Sequence, residues 1–369
     1  MDFSFSADEI AFREAVRDFA RANWPADRRF LLGRSERQDD YELEVRFRRA
    51  MGELGWFVLD WPRELGGGAR SPVYRYLLSW ELFWWGAPYH VTALTLVAPM
   101  LIKYGNSWQR EHLLSRIATG EIDFSLGYTE AEAGSDLASL ATRARRTSEG
   151  YAIAGQKLYT SYARQTDYVW LAARTDPTAP KHKGISIFIV DKRLPGVSIT
   201  PLPTIDGGET YITYYDDVVV PAECLVGEEN QGWRYIVEAL DQERITLFPV
   251  AQADRLFRQL AEFARTQGLD MAPLRRRLAE LSPRIDGATL LSHRCAWQAS
   301  RGEVASADAA KLKVIVTELL QELAQLAVEL HAPEAKRLYL GCIMQTFGGG
   351  ATEVLKDVIG YAGLGLPRG

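Results

Sequence analysis

Between Tyr151 and Pro221 the chain runs through five short segments rich in β-branched and aromatic residues: "YAIAGQKLYTS", "DYVWLAARTD", "GISIFIVDK", "GVSITPLP" and "TYITYYDDVVVP". Glycine, proline and aspartate separate them, which is the pattern of successive strands joined by turns. A β unit of roughly 110 residues, at the spacing of a small barrel or sandwich, therefore interrupts whatever surrounds it. What surrounds it is helical. "SADEIAFREAVRDFARANW" opens on a serine cap at Ser6, and "SPVYRYLLSWELFWWG" and "ALTLVAPMLIKYG" follow between glycine-rich breaks. After "GEENQGW" helical spacing returns until near His331, broken at "TQGLDMAP" and "SRGEVAS". The expected class is α+β, with a helical unit over residues 1–120, a β unit over 121–230 and a helical unit over 231–369. Without repeats or a long linker, the three are expected to pack as one body.

A chain of 369 residues with 47% hydrophobic content can bury a large core. Its net charge of -5 argues against a protein that grips nucleic acid by neutralising phosphates. The run "LRRRLAEL" reads as a solvated helix face. Cys224, Cys295 and Cys342 are widely spaced, so neither a disulfide framework nor a zinc site is indicated. The five histidines, His90, His112, His182, His293 and His331, lack ligand spacing, so no metal is expected. The acidic, amphipathic beginning is unlike a signal peptide, and no run approaches 18 apolar residues. A cytoplasmic protein without membrane association is the expectation. The aromatic-rich "WELFWWGAPYH" reads as core or subunit contact.

One helix carries an irregularity. Trp233, Ile236, Val237, Leu240, Leu247, Phe248 and Ala251 recur at three- and four-residue steps, and the gap in that apolar series falls on Glu243 and Arg244. Charges on such a face are paired or functional, because desolvation disfavours the ionised form. Taken alone, such a Glu-Arg pair on a helix is more often a salt-bridged structural element than a catalytic one.

The order of the three units resembles the acyl-CoA dehydrogenase family, together with "LGYTEAEAGSDLASLATRA", "GQKLYTSYARQTDYVWLAARTD", "YYDDVVVPAECLVGEENQGW", "ALDQERI" and the terminal "LGLPRG". The resemblance spans essentially the whole chain. Within the family it is most similar to the actinobacterial branch acting on steroid side-chain thioesters, notably in "DYVWLAARTDPTAPKHKGISIFIVDKRLPGVSITP". It implies an FAD-dependent enzyme that removes two hydrogens from the α and β carbons of an acyl-CoA thioester, giving the trans-2-enoyl product. It further implies a bulky or steroid side-chain acyl group. An electron-transfer flavoprotein or similar acceptor is implied as a partner, as is a homo-oligomer or an α2β2 heterotetramer with a related chain.

The site residues follow from the same resemblance. The family's usual base, in a "YEGT" loop, falls here on "GGGA", so Gly349 occupies that position without a side chain. Other members carry the base on the long helix in an "LDxER" pattern, which assigns the base to Glu243 and makes Arg244 its orienting or charge-balancing neighbour. Gly349 keeps a backbone N–H for the substrate carbonyl and leaves room for a bulky acyl group. Tyr128 and Thr129, in "GYTE", match residues at the flavin pyrimidine edge. In "LYTS", Tyr159 matches a ring-packing tryptophan, and Ser161 matches a threonine near the flavin N5. Ser135, in "EAGSD", matches a contact to the CoA portion. As residues alone, Thr129, Tyr159 and Ser161 are ordinary strand residues and "GSD" a turn.

One segment departs from the family. The "RxxFG" arginine that grips the FAD pyrophosphate is replaced within "FARTQGLDMAP", where Gln267 stands near its position. This loss, with Gly349, leaves open a non-catalytic partner subunit of a heteromeric dehydrogenase. Because pantetheine is common to both carriers, a dehydrogenase of acyl-carrier-protein thioesters also stands beside the first reading.

Overall fold

The computed structural model describes residues 4–26, 38–89, 91–247, 250–269, 271–303 and 306–367, with the side chains of 38–40, 241–247, 271 and 273 outside that description. Helices precede and follow a single sheet, as an α+β chain requires. The first part holds α1 (Ala7–Asn23), α2 (Gln38–Glu53), α3 (Val73–Trp85), α4 (Ala98–Tyr104), α5 (Ser107–Gln109) and α6 (Ser115–Ala118). The strands are β1 (Phe124–Gly127), β2 (Arg143–Thr147), β3 (Gly150–Lys157), β4 (Tyr168–Arg174), β5 (Ile185–Asp191), β6 (Val197–Pro203), β7 (Glu209–Val220) and β8 (Leu225–Val226). The last part holds α7 (Gly232–Leu247), α8 (Val250–Thr266), α9 (Met271–Ser300), α10 (Ser306–Glu329), α11 (Ala335–Gln345) and α12 (Thr352–Val358).

Backbone packing groups these elements into two compact units, one of Met1–Ser35, Val58–His90 and Asp241–Gly369, the other of Glu36–Phe57 and Val91–Leu240. In the first unit, Ser6 caps α1 and forms a reciprocal box with Glu9, so the expected start of the first helix is present. Buried Glu81 of α3 accepts from Arg13 at 2.7 Å and Arg17 at 2.5 Å, both on α1. The core of this unit lies among α8, α9 and α10, where Val250, Ala253, Leu256 and Leu260 recur at helical spacing against Leu312, Val316, Leu319 and Leu323. Burying each such leucine contributes about 1.5–3 kcal/mol.

In the second unit the strands join in the order β6-β7-β3-β2-β4-β5-β8, with β1 pairing in parallel to β4. Residues of β3, β4, β5 and β7, among them Ile153, Leu171, Phe188 and Val218, share one apolar cluster on one face of the sheet, while Trp170, Ala172, Ile187 and Ile189 of β4 and β5 are buried on the other. β7 carries one extra residue opposite β3: Ile153 faces Val218, but Gly155 faces Tyr215. Asp217 takes a left-handed φ of 45° at this bulge. Gly155 is required there, because a Cβ would lie 2.8 Å from the Thr142 Cα. Buried Asp123 ties the helices to β1: its carboxylate accepts from the Ala93 N–H at 2.9 Å and from the Arg48 guanidinium at 3.3 Å. No described helix is long and apolar enough to cross a membrane.

Candidate active site

Two segments of the β unit carry four of the sequence-predicted residues, and they lie against each other. Tyr128 and Thr129 follow the end of β1, while Tyr159 and Ser161 follow the end of β3. The Leu158 N–H donates to the Thr129 carbonyl at 2.8 Å, and the Thr160 N–H donates to the Tyr211 carbonyl at 2.9 Å. Tyr128 is buried, and its hydroxyl accepts from the Trp170 indole N–H at 3.0 Å. Thr129 is half-buried. Among the described residues neither its N–H nor its hydroxyl has a hydrogen-bond acceptor.

Tyr159 has the opposite character. Its φ of 56° lies in the left-handed region, uncommon for a bulky residue, and its side chain is 59% exposed. Positive φ costs on the order of 1–2 kcal/mol without glycine, and persists where the surroundings fix it. The surroundings here are the Leu158 and Thr160 hydrogen bonds on either side. Ser161 is exposed, and its hydroxyl lies 3.1 Å from the Thr210 hydroxyl on β7. Nearby, Gln165 donates to the Tyr211 hydroxyl at 3.0 Å, and burial pushes that phenol up to about 12.

Behind these segments sits a charge pair that sequence reasoning missed. Lys157 is fully buried, and its Nζ donates to Glu130 Oε1 at 2.7 Å and to the Tyr128 carbonyl at 3.1 Å. Burial pulls the Lys157 ammonium down to about 8, outweighing the attraction of Glu130. Glu130 is held below its ordinary value: burial opposes its charge, but Lys157 and the N–H groups of Ala141 and Thr142 stabilise it more. Burial along β3 does not alternate, since Gly150 to Ile153 are all buried and Gly155, in phase with Lys157, is exposed, so strand periodicity carried no signal for it.

Ser135 is exposed in the turn after the Glu130–Ala133 bridge. Its neighbour Asp136 bonds the Lys181 ammonium at 2.9 Å and the Ser139 hydroxyl at 2.5 Å, which lowers its pKa, the serine bond first. In the other unit, Gly349 sits in the loop between α11 and α12 at φ 68°, followed by Gly350 at 109°. Buried Lys313 of α10 anchors this loop, donating to the carbonyls of Thr346 at 3.0 Å and Gly350 at 2.8 Å. Glu243 and Arg244 fall on α7, but their side chains lie outside the described residues. Gln267 is exposed just beyond α8, its N–H bonded to the Phe263 carbonyl at 3.0 Å. Among the described residues no cluster of three or more His, Cys, Asp or Glu could hold a metal ion.

Models of the acyl-CoA dehydrogenase N-terminal, middle and C-terminal domains match residues 6–121, 125–218 and 230–364. The chain is also 36% identical over 399 residues to acyl-CoA dehydrogenase FadE26 of Mycobacterium tuberculosis, covering 100% of this chain and 99% of that one. The chain belongs to the acyl-CoA dehydrogenase family. Among solved structures, this dehydrogenase is similar to the Tcur3481-Tcur3483 steroid ACAD, at 35% identity and a TM-score of 0.92 over 100% of both chains. It is also similar to a chain of the ChsE4-ChsE5 complex from Mycobacterium tuberculosis, at 34% identity and a TM-score of 0.89 over 100% of both. The steroid branch is thus the right neighbourhood, and the helical, sheet and helical parts correspond to the three family domains. Family members are FAD-dependent acyl-CoA dehydrogenases.

Proposed function

We propose that this dehydrogenase uses FAD to introduce a trans α,β double bond into a coenzyme A thioester whose acyl group is bulky, of the steroid side-chain kind. The observation that supports it most directly is the pair of adjoining segments in the β unit. Thr129 offers two donors there that have no acceptor among the described residues, beside an exposed Tyr159 at positive φ and the Ser161 hydroxyl. These fit an isoalloxazine: polar atoms for its pyrimidine edge, an aromatic face to pack on its rings, and a hydroxyl for N5. The fit is weaker at the pyrophosphate, where Gln267 stands in place of an arginine. The functional division is proposed as 1–120, 121–230 and 231–369.

The chemistry that a bound flavin supplies is acceptance of the β-hydrogen with its electron pair. Everything else falls to the chain. Glu243 takes the α-proton as general base, and Arg244 orients or balances that carboxylate. Gly349 lends its backbone to hold the thioester oxygen as negative charge builds on it. Its missing side chain leaves space for a wide acyl group. Ser135 contacts the CoA portion.

The names of the two similar solved structures each pair two proteins, which supports assembly with a second, related chain. Exposed Tyr339, Met344 and Val354 on the C-terminal helices, with exposed Phe347, Leu364 and Leu366 in the segments that follow them, offer apolar side chains for it. An electron-transfer flavoprotein is the proposed acceptor and the cytoplasm the proposed location. Glu243→Gln tests the assignment of the base. It should keep flavin bound and lower kcat by roughly a thousandfold; undiminished turnover would remove Glu243 from the mechanism.

A further inference from the structure

The Lys157–Glu130 pair is also tied to the backbone beside it. Lys157 grips the carbonyl of one peptide unit, that between Tyr128 and Thr129. In a trans peptide the C=O and the following N–H point in opposite directions. Holding the Tyr128 carbonyl toward the ammonium therefore aims the Thr129 N–H away from it. That N–H has no acceptor among the described residues. An ammonium on the carbonyl also polarises the peptide, which makes the N–H on its far side a stronger donor, and more so where the local dielectric is low.

The remaining contacts keep this lever stiff. Glu130 accepts from Lys157, from the Ala141 N–H at 2.6 Å and from the Thr142 N–H at 2.9 Å. Thr142 in turn donates through its hydroxyl to the Gln156 carbonyl at 3.2 Å. Leu158, next to Lys157, donates its N–H to the Thr129 carbonyl. The amide of Thr129 is thereby held from both sides: the carbonyl before it by Lys157, its own carbonyl by Leu158.

We propose that Lys157, partnered by Glu130, is a positioning residue that orients and strengthens the Thr129 N–H as a donor to an acceptor gaining negative charge. This rests on the proposed function, in which the acceptor is the pyrimidine edge of bound flavin, more negative when reduced. Lys157 then raises flavin affinity and favours the reduced form. Two charged groups act on Lys157, Glu130 supporting its charge and Arg174 opposing it. Burial already pulls it down to about 8, and loss of Glu130 removes the attraction that opposes that pull and so lowers it further.

The experiment compares wild type, Lys157→Met and Glu130→Gln. It measures FAD affinity of the apoprotein by fluorescence quenching and flavin midpoint potential by dye equilibration. Lys157→Met should bind FAD at least tenfold more weakly and give a more negative potential. Unchanged affinity and potential would overturn the proposal. Should Lys157→Met fail to fold, Glu130→Gln decides: its FAD affinity should approach wild type at pH 6 and fall by pH 8, while wild type changes less. A pH-independent loss, or no loss, would show the pair to be a structural staple only. Absence of flavin binding in wild type under all conditions would instead strike the proposed function itself.

Discussion

The hydroxyls of Ser161 and Thr210 lie 3.1 Å apart, joining the segment after β3 to the start of β7. Ser161 is exposed and, lacking the methyl group of threonine, has three accessible χ1 rotamers. Thr210 selects one of them. Thr210→Val keeps the shape and removes the partner, at a cost of about 1 kcal/mol in the preferred Ser161 orientation. If Ser161 serves the flavin N5, kcat should fall by about fivefold with flavin stoichiometry unchanged. Steady-state kinetics beside the visible spectrum check this, and an unaltered kcat would separate Thr210 from the site.

Gly349 holds a φ of 68°, a conformation that L-residues with a Cβ adopt at a cost of about 1–2 kcal/mol. Gly349→Ala should lower the stability of the protein by about 1 kcal/mol, read as a shift in the urea midpoint with unchanged m-value. A substrate of wide acyl group should suffer in KM more than a straight-chain one. Equal effects on both would contradict the assignment of this loop to the acyl group.

Glu130 supplies a pH signature. Its folded-state pKa is depressed below the ordinary 4.5, the cost of burial being outweighed by Lys157 and by hydrogen bonds from Thr142 and Ala141. A depressed carboxylate contributes stability that is present above its unfolded pKa and lost as pH falls through the folded value. Glu130→Gln should therefore be less stable than wild type at pH 6, by about 3 kcal/mol for a broken buried pair. The two unfolding curves should converge toward pH 3. A gap that stays constant from pH 6 to pH 3 would contradict this.

Local chemistry made much of this fold legible. The Ser6–Glu9 box is written in four consecutive residues, and β3, β4, β5 and β7 each announce themselves by β-branched and aromatic content. β2 does not. Its sequence, RARRT, buries only Ala144 and is a strand because β3 pairs with it through Arg143–Thr147. The π-helical turns at Ala93–Val97 and Arg110–Leu114 are likewise invisible in apolar periodicity, which does not separate them from the helices they continue into. At the site, the resemblance brought out Tyr128, Thr129, Tyr159 and Ser161, which the structure sets in adjoining segments. Lys157, Thr210 and Lys313 were hidden because each acts on a partner distant in sequence. A buried lysine also reads, residue by residue, as a solvent-facing one.

The most direct test is anaerobic titration of the purified flavin-loaded protein with a steroid side-chain acyl-CoA thioester, followed at the visible flavin band. The account predicts that the band bleaches as substrate is added and that the trans-2-enoyl thioester appears in equal amount. A bound flavin that stays oxidised through excess of this and of straight-chain acyl-CoA thioesters would contradict it.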